Sequence, residues 1–130
     1  MGQAGKLMRV GKYQTGSEYV TVFLTNGQEG SWSPCGIEGY DEPCMVLGAD
    51  WDDWNGVYDT MVHEAMEAAT VRLGTHYRPT AVANNDLSSV IMVLTHSQMS
   101  EVATRVAMFT GLATDDINRA WRKWKKNGKR

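Results

Sequence analysis

The strongest periodic pattern in the chain is Val57–Leu73, VYDTMVHEAMEAATVRL. At about 100° per residue, Val57, Tyr58, Met61, Val62, Ala65, Met66, Ala68, Ala69, Val71 and Leu73 cover more than half the circumference. This predicts a helix buried on most sides. Its polar arc holds Asp59, Thr60, His63, Glu67 and Thr70, while Glu64 falls at the edge of the apolar arc beside Val57 and Val71. Asp53 or Asn55 is placed to cap the start, and Gly74 to end it. Strand patterns come earlier. Glu18–Thr25 puts Val20, Val22 and Leu24 on one face and Tyr19, Thr21 and Phe23 on the other. Asn26-Gly27 then predicts a tight hairpin with a returning strand to about Trp32. Leu7–Tyr13 is a weaker strand, interrupted by Gly11.

Ser33–Pro43 is rich in Gly, Pro and acids and reads as a loop, and Cys44–Ala49 as a short buried strand. His76–Asn85 is irregular, whereas Ser89–Leu94 is the most strand-like run of the second half. Thr95 and Gln98 match a capping box for a helix over Ser97–Thr110, which Gly111 is expected to end. A third helix is predicted from Thr114, with Asp115 and Asp116 in its first turn and Ile117, Trp121 and Trp124 along one side. These elements give an α+β fold: a small, mostly antiparallel sheet built from Glu18–Trp32, Cys44–Ala49 and Ser89–Leu94, with three helices packed on it and the helix 57–73 at its centre.

Composition narrows the class. A chain of 130 residues with 42% hydrophobic content and five Trp can bury one real core, so a single domain over 1–130 is expected and disorder is excluded. No apolar run is long enough to span a bilayer. Nothing after Met1 resembles the apolar core of a secretory signal, so a cytoplasmic location is expected, with Cys35 and Cys44 as free thiols. The charge is unevenly placed. Residues 117–130 hold seven Lys or Arg and no acid, although the whole chain has net charge −2. The basic C-terminal helix over 114–130 therefore suits a nucleic acid or another anionic partner through Arg119, Arg122, Lys123 and Lys126. The commoner reading of such a stretch is a helix C-terminus whose bases complement its own dipole.

The chemical candidate is His63-Glu64-Ala65-Met66-Glu67. In H-E-x-x-H, two histidines one turn apart hold zinc and the first glutamate takes a proton from the attacking water. Here a carboxylate replaces the second imidazole, which zinc accepts, though added negative charge weakens its Lewis acidity and favours other divalent ions. The segment from Met45 to Glu101 resembles the small, phage-type zincin metallopeptidases that include the SprT-like proteins. The resemblance lies in the apolar strand MVLGADW, an acidic turn, the helix YDTMVHEAMEA against a T-x-x-H-E-x-x-H-A core, and a later helix offering a carboxylate. It implies a zinc-dependent peptide hydrolase, or a degenerate relative, with His63 and Glu67 as ligands and Glu64 as general base. Glu101 is the formal match for a third ligand, and His96 its competitor. Set against this, a solvated helix face contains just such residues as His63 and Glu67, and Arg72 is available as an ordinary partner for Glu64. The reading from another class is a non-enzymatic accessory or inhibitor protein that binds a protein or nucleic acid.

Overall fold

Residues Met8–Thr15 (β1) and Glu18–Thr25 (β2) form an antiparallel hairpin in the computed structural model, which describes residues 6–72, 76–77, 91–92 and 94–128. The turn is Gly16-Ser17, with Gly16 at φ 67°, the left-handed conformation that a two-residue hairpin needs and glycine supplies cheaply. Gly30–Ser33 (β3) and Cys44–Gly48 (β4) complete a four-stranded sheet of order β1-β2-β4-β3. β4 pairs parallel with β2 and antiparallel with β3. The sheet is therefore mixed.

Asn26-Gly27 does reverse the chain, but β2 and β3 are not neighbours, because β4 lies between them. The short run CMVLG is apolar enough to occupy the centre of the sheet, and residues 26–29 arch over its end. Three backbone bonds hold that arch: Gly48 N–H to Glu29 O at 2.8 Å, Ala49 N–H to Thr25 O at 2.9 Å and Asp50 N–H to Gly27 O at 2.9 Å. Gly48 is needed there, since a Cβ would collide with the Gly27 carbonyl.

Among the described residues two helices pack on this sheet, not the three expected from the sequence. The first, α1, spans Trp54–Arg72 and is capped by Asp53, whose Oδ1 accepts the Gly56 N–H at 3.3 Å. The second, α2, runs unbroken over His96–Gly128. The capping box at its start is as expected, with Thr95 N–H donating to Gln98 Oε1 at 2.9 Å and Gln98 N–H to Thr95 Oγ1 at 3.1 Å. Gly111 does not end the helix, and Thr114 does not start another. Instead the Thr114 hydroxyl donates back to the Thr110 carbonyl. A glycine inside a helix costs about 1 kcal/mol, whereas burying a large apolar side chain returns about 1.5–3 kcal/mol. Phe109, Ala113, Ile117 and Trp121 form one buried stripe at four-residue spacing across Gly111, so packing wins.

The core lies between one face of the sheet and the two helices. Val20, Val22 and Leu24 of β2 meet Met45, Leu47, Val57, Met61, Phe109 and Ile117. On the other face, loop 34–43 folds back. Tyr40 packs edge-on against Phe23, and the Thr21 hydroxyl donates to Glu42 at 2.8 Å. Cys35 is exposed and Cys44 buried, both unpaired thiols. Of the strand expected at Ser89–Leu94, Ile91–Met92 (β6) pair antiparallel with His76–Tyr77 (β5) as a ribbon separate from this sheet and Leu94 lies outside any strand, while the turn expected at 84–86 lies outside the described residues. Among the described residues no helix is long and apolar enough to cross a membrane.

Gly111 is exposed and a Cβ added there meets nothing within 4 Å. Gly111→Ala should therefore raise stability by about 0.5–1 kcal/mol in urea unfolding. A helix ending at Gly111 with left-handed backbone would instead make the alanine variant less stable.

Candidate functional site

α1 lies across β3 and β4, and one of its turns sits directly on the backbone of β3. The contact is made at Gly30. A Cβ there would come within 2.7 Å of Thr60 Cγ2, 2.9 Å of Glu64 Cγ and 3.1 Å of Glu64 Oε2. Glycine thus lets Glu64 fit beneath the helix, and Glu64 is only 4% exposed. Not all of the apolar arc follows it inward: Tyr58, Met66 and Val71 remain exposed.

Glu64 is joined by two residues of the polar arc, His63 and Glu67. His63 Nε2 lies 3.0 Å from Glu67 Oε2 and 3.9 Å from Glu64 Oε2. One ligand atom from each residue falls within 4.8 Å of the others. Burial pushes the Glu64 carboxyl above its usual range, and the charge on Glu67 pushes it the same way, with His63 opposing both. The cluster is one-sided. His63 is largely exposed and Glu67 half-exposed, while Glu64 forms the floor. An imidazole nitrogen and two carboxylate oxygens suit zinc or a harder divalent ion.

The other expected ligands are elsewhere. α1 and α2 run antiparallel: the Trp54 and Trp121 rings stand 5.9 Å apart at one end, and Arg72 and Arg105 both approach Glu18 at the other. With a rise of 1.5 Å per residue, this leaves Glu101 roughly 17–20 Å and His96 roughly 24–27 Å from His63 along the helix axes. Glu101 instead faces Arg105, 3.5 Å from its Nε, and His96 is exposed in the first turn of α2. Arg72 is not the partner of Glu64 either. It pairs with Glu18 at 3.0 Å and stacks over Trp32.

The basic end of α2 is docked, not free. The Trp121 ring N–H donates to the Ala49 carbonyl at 3.2 Å and that of Trp124 to Asp50 Oδ1 at 3.3 Å. Lys125 donates to the Trp51 and Asp52 carbonyls at 3.0 and 3.2 Å, and Arg119 pairs with Asp116 at 3.0 Å. Arg122, Lys123 and Lys126 are exposed on the outer side. Sequence reasoning missed Gly30, because nothing local to it announces a helix seated 34 residues later. Among known proteins, the chain matches no family model, no curated protein and no solved structure.

The raised carboxyl of Glu64 has a consequence for stability. Its proton is held more tightly in the folded state than at the ordinary value of 4.5, so stability is fully present below that value and is lost as pH rises through the interval up to the folded one. In chelator-treated protein, Glu64→Gln should raise the urea midpoint at pH 7 and lose that advantage at pH 4. An equal effect at both pH values would contradict the burial account.

Proposed function

We propose that His63, Glu64 and Glu67 form a divalent-cation site, and that the protein is a zincin-like metal binder, a degenerate relative of the HExxH hydrolases. The observation that supports this is the convergence of three donor atoms over a floor fixed by Gly30. When bound, a divalent cation supplies Lewis acidity, polarising a carbonyl and making a water more acidic.

The roles of the side chains follow from their number. A catalytic zinc site takes three protein ligands, and the hydrolase needs a separate base. Among the described residues one helix offers three groups for these four tasks. Glu64 cannot bind the ion through its carboxylate and also accept a proton there. With Glu64 as third ligand, its burial works in favour of the site: it keeps the carboxylate fixed and poorly hydrated, so less water has to be displaced for an ion to bind. His63 and Glu67 close the site from the solvent side, and their spacing of one helical turn lets both reach the same point. The cost of keeping Glu64 ionised beneath the helix is relieved by a cation beside it. In this reading the protein holds an ion without cleaving peptides.

Zinc titration calorimetry tests the assignment. His63→Ala should weaken binding by more than roughly 100-fold, beyond what loss of an outer partner of a ligand costs. Glu64→Gln should weaken it too, and the unaltered zinc-loaded protein should not cleave labelled casein. Should Glu64→Gln keep full affinity while abolishing a casein-cleaving activity, Glu64 is a base and the protein an active hydrolase. Binding no tighter in the unaltered protein than in His63→Ala would overturn the site.

A further inference from the structure

β1 is an edge strand: among the described residues no strand lies beside the backbone N–H and C=O groups of its outer edge. Such an edge is a template for another extended chain. An open groove of about 750 Å³ runs between it and α2, touched by Met8, Arg9 and Val10 on one side and by Arg119, Ala120 and Lys123 on the other. Consecutive residues of a strand point to opposite faces. Met8 and Val10 pack towards the core while Arg9 is exposed, so a groove that touches all three follows the edge of the strand itself. The groove is basic. Its one acid, Asp116, is already engaged by the Tyr13 hydroxyl at 2.8 Å and by Arg119 at 3.0 Å. A smaller hollow of about 190 Å³ adjoins it, sharing Met8 and Asn127, where the charge of Lys6 is matched by Asp50 and Trp124 forms part of the wall.

We propose that this groove binds an acidic, extended segment of a partner protein by strand addition to β1. The added strand supplies partners for the edge backbone groups. Its alternate side chains fall on the two faces of the sheet, one set beside Arg9 and the other beside Arg119 and Lys123, so an acid at successive positions of either set meets a base. The apolar side chains of Met8, Val10 and Ala120 give the intervening residues a surface to cover. Single-stranded nucleic acid fits less well, because the groove itself has no aromatic lining and the adjoining hollow offers only Trp124 for a base to stack on. The register of β1 against β2 shifts between Arg9 and Gly11, and a bulge of this kind turns a strand and limits pairing along it. The bound segment is accordingly short, and charge carries much of its affinity.

The test is fluorescence anisotropy of the full chain with a fluorescein-labelled decapeptide of alternating Glu and Val. Binding should be saturable, and the same peptide N-methylated at alternate amides should bind at least roughly tenfold more weakly, having lost its backbone hydrogen bonds. Lys123→Glu should weaken binding by a similar factor. Lys123 makes no ion pair or hydrogen bond among the described residues, so the variant leaves the fold intact, as circular dichroism would verify. The proposal is overturned if the plain peptide does not bind up to about 1 mM, if the N-methylated peptide binds equally well, or if a thymidine decamer binds more tightly than the peptide through the same lysine.

Discussion

β4 is hydrogen-bonded along both edges, and this double pairing fixes the positions of the other elements. It separates β2 from β3 and makes the loop between them cross the strand end, where Gly48 leaves room for it. Just beyond, the Ala49 carbonyl accepts the Trp121 ring N–H, while the Asp50 carboxylate accepts from the Gly27 backbone and from Trp124. One segment of three residues thus closes the sheet, pins the loop and docks the long helix. The chain then turns through Asp53 into α1, whose path over β3 and β4 is set by where β4 ended.

The cluster at His63 is a product of that path. Helix periodicity alone puts His63 and Glu67 on one side of α1, but it does not bring Glu64 to them. The sheet does so, because β3 offers a residue without a side chain at the point where the helix crosses it. A carboxylate kept from water is costly unless something compensates. His63, an exposed imidazole 3.9 Å away, is the nearest basic side chain among the described residues. The burial comes from the close approach of α1 to Gly30, and the proposed cation would offset its cost.

Much of the local structure was legible in the sequence. The apolar face of β2, a cap at Asp53 or Asn55 and the Thr95–Gln98 box follow from short-range pattern and side-chain chemistry, and each is present, the cap being Asp53. Long-range order was not legible. Asn26-Gly27 signals a reversal but says nothing about a strand that enters the gap 18 residues later. Gly111 has the composition of a stop, yet the stripe from Phe109 to Trp121 passes straight through it, and that stripe matters only once the sheet is there to receive it. For the site, the one-turn spacing of His63 and Glu67 was readable and the odd position of Glu64 was noticeable. Its floor at Gly30 and the distance of Glu101 and His96 depend on how α1 and α2 pass each other, which no local pattern encodes.

The account turns on whether an ion binds where the three groups converge. Imidazole nitrogen signals followed by NMR during a zinc titration test this directly, since the chain has only three histidines. The account predicts that the Nε2 signal of His63 shifts and saturates at one equivalent while those of His76 and His96 hold their positions. A titration that leaves His63 unmoved, or moves all three in proportion to added zinc without saturation, would contradict it.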